Sequence, residues 1–361
     1  TAIVATYGGV VVTSHVIVPV PGSGKFPKFP ANNPVDEFVA AKLQKVGVHP
    51  SELSSDGEFL RRVHIDLIGT LPTAAEASAF LADKSPDKRA KLIDQLLERP
   101  EYGMYWATRF SDWTGNDNRF TPQPREKTGW LWHDWLRDKL DRNVPYDELV
   151  AGLLTATTRE GRSLEETVDE FETVRDNVEQ GFDDGTYASR KTNDMFSNTP
   201  VNRSPDRTAL KVAYAFLGVR LECAQCHKHP FDRWTQEDFE RFSAFFVPLQ
   251  RGTPGDIPKD MVKELTKKKG NNSYTYHELY VNYTPSTLKN LKEKPPRLLG
   301  GADVDVQDGV DPRLALMDWL RAPDNPLFAK AIANRLWGHY FGVGIVEPVD
   351  DMNAANQPSN P

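Results

Sequence analysis

Residues 206–246 read DRTALKVAYAFLGVRLECAQCHKHPFDRWTQEDFERFSAFF. A helical pattern runs from Asp206 to Gly218 and another from Thr235 to Phe246, so the motif between them lies in a mainly α chain. That motif is Cys223-Ala224-Gln225-Cys226-His227, the C-x-x-C-H spacing of covalent haem attachment. Two thiols one helical turn apart can reach both vinyl groups of one haem c, and the next His then lies under the iron as proximal ligand. Cys223 and Cys226 are the only cysteines, so no other pair competes for the reading.

The surroundings suit a flat, doubly anionic cofactor. Arg220 and Arg233 flank the motif and match propionate geometry, while Phe231 and Trp234 offer cover for a macrocycle edge. His229 is too close to His227 to reach the opposite face of the same iron. His64, His133, His277, His339, Met104 and Met195 remain as sixth ligands, and His339, beside Trp337 and Tyr340, is the favoured one. An open or water-bound iron is the alternative, and favours ligand or peroxide chemistry over electron transfer. Two other readings of the motif compete. Cys223, Cys226, His227 and His229 are four zinc-type ligands, but structural zinc normally draws on two separated pairs. A Cys-x-x-Cys exchange pair normally follows a strand, and here a helix precedes.

Working outward, residues 1–20 are two Val/Ile/Thr-rich runs around Gly8-Gly9, which predicts a hairpin. A lone hairpin is marginal, so these read as the closing strands of a truncated β domain. The Pro-rich segment 21–34 reads as a linker. Asn33-Pro34 predicts a cap and first helical residue. Phe59–Leu67 predicts a second helix, Thr73 with Glu76 a capping box, and Ser85-Pro86 the start of a fourth helix that Pro100 ends. Five of the eight tryptophans fall between Trp106 and Trp135; Trp106, Phe110 and Trp113 share one helical face and predict core. Residues 160–184 carry ten acidic and two basic side chains, as a solvated helix or loop does. Asp183 and Asp184 lack EF-hand spacing for calcium. Segment 251–309 is irregular with one strand at 274–283, and helices return at 312–321 and 326–341.

Composition narrows the function. With 39% hydrophobic and 26% charged residues the 361-residue chain is a folded protein, and no apolar run reaches the ~20 residues of a membrane span. The net charge of −7 disfavours general nucleic-acid binding. Both ends read as cuts, so an internal piece of a longer chain is expected. For an enzyme acting on envelope material, Asp112 and Asp117 near Trp113 are the sole candidates.

The stretch 59–73 (FLRRVHIDLIGTLPT), Glu101-Tyr102-Gly103 with Trp106, Asn143-x-Pro145-Tyr146-Asp147 and the Cys223–Trp234 block together resemble the DUF1549 (PSCyt2, planctomycete cytochrome-like) family. Asn334–Gly342 (NRLWGHYFG) resembles the start of the DUF1553 (PSD1) domain, and residues 1–20 resemble the end of a bacterial immunoglobulin-like domain. The resemblance implies a helical domain at 35–250, a connecting segment at 251–309 and a second domain from 310. It also implies a c-type haem by motif and an exported protein of the periplasm or cell surface. The expectation is an electron-transfer or other redox haem protein with a redox partner protein. The alternative is a cell-surface interaction or scaffold module, meeting other envelope proteins, in which haem or a metal is structural.

Overall fold

A computed structural model describes residues 2–7, 10–20, 24–28, 30–116, 128–181, 184–198, 204–265, 268–269, 272–273 and 276–360. β1 (Ala2–Tyr7) and β2 (Val10–His15) form an antiparallel hairpin with Tyr7 opposite Val10. α1 (Pro34–Val46), α2 (Asp56–Ile68), α3 (Ala74–Ala82), α4 (Lys88–Leu97) and α5 (Pro100–Thr114) follow. α6 (Thr128–Asp141), α7 (Tyr146–Leu154), α8 (Leu164–Gln180), α9 (Met195–Asn198) and α10 (Pro205–Val212) come next among the described residues. After α11 (Gln236–Ser243) come β3 (Leu249–Gly252), α12 (Lys259–Leu265), β4 (Lys268–Lys269), β5 (Asn272–Ser273) and β6 (Glu278–Val281). α13 (Pro285–Glu293), α14 (Pro312–Arg321) and α15 (Phe328–Phe341) close the chain, and β3 pairs antiparallel with β6. The protein is mainly α.

Local chemistry sets most boundaries. Asn33 caps α1 by accepting from the Asp36 N–H at 3.1 Å, with Pro34 at the first helical position. Thr73 and Glu76 form the expected capping box of α3, and Ser55 with Glu58 forms another on α2. The fourth helix starts at Lys88 rather than Pro86. Ser85 gives its hydroxyl to Asp83 at 2.6 Å instead of capping, and Asp87 takes the cap position. Pro100 is the first residue of α5, where a missing N–H costs nothing.

The core is aromatic and aliphatic, with α5 packed on α6 and α14 packed on α7. Trp106, Trp132, Trp135, Leu136, Leu149 and Phe216 are among its buried members. The acidic stretch is largely α8, capped by Ser163 and Glu166. Two of its carboxylates turn inward against expectation. Glu160 and Glu170 lie within 3.7 and 3.3 Å of buried Arg190, which also donates to the Thr158 carbonyl at 2.8 Å.

One buried charge ties the end of the chain to this core. α7 ends at Leu154 without a glycine cap, which leaves carbonyls to satisfy. Fully buried Arg313, from α14, donates to the carbonyls of Leu154 at 3.0 Å, Ala156 at 3.2 Å and Thr155 at 3.4 Å, and pairs with Asp311 at 2.7 Å. Removing one partner of such a pair strands the other in a dry site. Arg313→Ala is expected to cost about 3–5 kcal/mol in urea unfolding. Arg313→Lys should also destabilise the fold, because an ammonium lacks the planar fork that serves several acceptors.

Candidate functional site

The Cys motif is built by a change of helical pitch. α10 widens into a π turn at Ala213–Leu217, which Gly218 ends at φ +61°, a left-handed conformation that suits glycine. A side chain at Gly218 would also strike Met352, whose N–H donates to the Gly218 carbonyl at 2.7 Å. The chain then tightens into a 3₁₀ turn at Glu222–Gln225. With three residues per turn, positions three apart share a side. Leu221 and Ala224 take the inner side and are fully buried, while Cys223 and Cys226 take the outer side as free, exposed thiols. The N–H groups of Cys226 and His227 donate to the Cys223 carbonyl at 3.5 and 3.4 Å.

The following loop is pinned rather than loose. Buried His229 donates its backbone N–H to the Trp234 carbonyl at 2.8 Å and accepts the Phe231 N–H on Nδ1 at 3.2 Å. Trp234 is core, and Thr235 caps α11. Burial pushes the Asp232 carboxyl above its ordinary value.

Residues 34–251 match the family PSCyt2, described as "Protein of unknown function (DUF1549)". The chain belongs to that family. Residues 312–361 match PSD1, "Protein of unknown function (DUF1553)". No curated protein and no solved structure matches the chain.

The expectation of a haem protein is corrected here, together with its alternative of a scaffold with a structural haem or metal. Among the described residues of this DUF1549 chain, no three His, Cys, Asp or Glu side chains are grouped to hold a metal ion, and the family carries no assigned activity. The surrounding residues are committed elsewhere. Arg220 pairs with Asp350 at 2.6 Å. The Arg233 guanidinium lies 4.4 Å over Trp234 and against Gly300. His227 is exposed and donates Nδ1–H to the Lys228 carbonyl at 2.7 Å.

His339, expected as sixth ligand, stands among Tyr105, Trp106 and Tyr340 and donates Nε2–H to the Asp66 carbonyl at 2.9 Å. His64 bonds the Leu60 carbonyl within α2, and His133 faces Asp134, Thr108 and the Met104 carbonyl. Met104 is exposed and Met195 half-buried. The zinc reading fails on the same geometry, since the His229 ring faces its own loop. Asp117 and Asp183 lie outside the described residues; Asp184 accepts the Thr186 N–H at 2.9 Å. No helix among the described residues is long and apolar enough to cross a membrane.

Sequence reasoning passed over Lys211, which looks like any helical lysine. Its Nζ lies 4.6 Å over Trp132 and 4.2 Å over Phe196, and donates to the Phe196 carbonyl at 2.9 Å. Burial depresses its pKa well below the ordinary 10.5. Between the folded and unfolded values the unfolded chain holds more protons, so this group makes stability rise with pH. Its cost is full below the folded value and vanishes above the unfolded one. Lys211→Met should therefore gain on the parent at neutral pH, and the gap should narrow by up to ~1.4 kcal/mol per pH unit toward 10.5. Urea unfolding at a series of pH values checks it; a gap independent of pH goes against a depressed lysine.

Proposed function

We propose that the chain is a thiol–disulfide exchange module working outside the cytoplasm, with Cys223 and Cys226 as its reacting groups. The observation that carries the reading is the exposure of both free thiols on the outer side of one 3₁₀ turn. A rise of about 2 Å per residue stacks positions three apart at about 6 Å, inside the Cα separation that a disulfide spans. Leu221 and Ala224, buried on the inner side, hold the turn in place as the thiols react.

The exchange takes two steps. One cysteine thiolate attacks a disulfide of a partner protein, forms a mixed disulfide and expels one partner thiol. The second cysteine attacks the mixed disulfide, closes Cys223–Cys226 and expels the other partner thiol. The partner disulfide is reduced and the turn oxidised, with two electrons and two protons balanced. Proteins that keep disulfides occupy oxidising compartments such as the periplasm or cell surface, which supports an extracytoplasmic site of action.

The motif differs from the helix-terminal pair of rapid oxidoreductases, whose first thiol is acidified at a helix N-terminus. Here a helix precedes the turn and a loop follows it, which supports poised exchange with a docked partner over fast turnover.

Oxidised glutathione added to the reduced protein should close Cys223–Cys226 without a lasting adduct, whereas Cys226→Ser should retain one glutathione on Cys223. Intact mass reads both. Thiols that react only after denaturation, or a wild-type protein carrying two glutathiones, would sink the proposal.

A further inference from the structure

The backbone of the Cys motif distinguishes its two thiols. The Cys226 and His227 N–H groups both reach back to the Cys223 carbonyl, at 3.5 and 3.4 Å. The second of these bonds spans four residues, which is the ring closure of an α turn. Side chains four apart on such a turn are neighbours, with Cβ atoms about 5–6 Å apart, whereas successive side chains do not face each other. This geometry sets the His227 side chain beside that of Cys223 and directs it away from Cys226, the residue just before it. All three residues are exposed.

The two imidazoles of this segment carry their protons on opposite nitrogens. A carbonyl can only accept, so the 2.7 Å bond between His227 and the Lys228 carbonyl puts the proton on Nδ1. The lone pair of the neutral His227 ring is then on Nε2, at the far end of the ring. His229 is the reverse case: it accepts the Phe231 N–H on Nδ1 at 3.2 Å, so its neutral ring holds the proton on Nε2, and the residue is buried. Of the two, His227 alone offers a proton-accepting Nε2.

We infer that Cys223 is the attacking thiol and that His227 is the base that takes its proton. The Cys223 thiol gives its proton to His227 Nε2, and the thiolate attacks one sulfur of the partner disulfide. The S–S bond breaks, and the departing sulfur recovers the proton from the imidazolium. Cys226 then attacks the Cys223 sulfur and closes the pair. A base that serves one cysteine in this way sets the order of the two steps. The assignment rests on the exchange reading for its substrate, a protein disulfide, but the preference for Cys223 needs no disulfide and is measurable alone.

Brief alkylation of the reduced full chain with limiting iodoacetamide tests it. Cleavage after Arg220 and Lys228 releases the peptide 221–228, and fragmentation between Ala224 and Gln225 reads each cysteine separately. Cys223 should be alkylated at least about tenfold faster than Cys226, less than an aligned catalytic base provides because the pair is exposed. His227→Asn keeps a side-chain N–H near the place of Nδ1 but has no Nε2; it should slow Cys223 until the two rates are about equal, with Cys226 unchanged. His227→Gln should do the same and carries the test if the Asn variant fails to fold. Equal rates in the wild-type protein, faster reaction of Cys226, an unchanged ratio in a folded variant, or a parallel fall at both cysteines would each overturn the inference. If Cys223 keeps its preference while glutathione fails to close the pair, the exchange reading falls and the assignment of the reactive thiol and its base stands.

Discussion

The anchoring of Leu221 and Ala224 in the aromatic core is the contact on which the reading of this protein turns. Both side chains are fully buried, and the three-residue period of the turn makes their burial equivalent to the exposure of Cys223 and Cys226. A continuing α-helix would leave the two thiols about 60° apart on one face, whereas the three-residue period of the turn brings them into line. The π turn at Ala213–Leu217 and the left-handed Gly218 break that progression. The turn packs against α11, and Phe216, Leu217, Phe242 and Phe245 belong to the same buried cluster as Leu221 and Ala224.

Long-range polar contacts then hold the scaffold around it. Arg220 reaches Asp350, and the Met352 N–H reaches the Gly218 carbonyl, so residues near the end of the chain brace the segment just before the thiols. Arg313 performs a similar task for α7 by meeting its terminal carbonyls. These contacts join residues matched by the second family to the body matched by the first. Apolar burial supplies most of the stability; the buried arginines fix which segments meet.

Much of the fold was legible because it is written in local chemistry. Asn33-Pro34, Thr73 with Glu76 and Thr235 mark helix starts through side chains that cap their own backbone, and the Trp106–Phe110 face announces burial by its spacing. Pro86 and Pro100 were harder, since proline near a helix boundary serves equally as a first residue or a stop. The site was legible only in part. Cys-x-x-Cys-His draws attention to the turn, yet the haem reading needed Arg220, Arg233 and His339 to be available. Their actual partners, Asp350, Trp234 and the Asp66 carbonyl, include two that are remote in sequence, which no spacing rule reveals. Glu160 and Glu170 likewise look like members of a solvated acidic run until Arg190 is found between them.

Equilibrium in glutathione buffers of graded composition tests the exchange chemistry most directly. After acid quenching and alkylation, the peptide 221–228, released by cleavage after Arg220 and Lys228, reports the state of both cysteines by mass. The exposed turn predicts one two-electron transition in which this peptide loses two hydrogens as Cys223 and Cys226 join. A peptide that stays reduced across the whole series, carries glutathione on both cysteines, or bears a covalently attached macrocycle contradicts it.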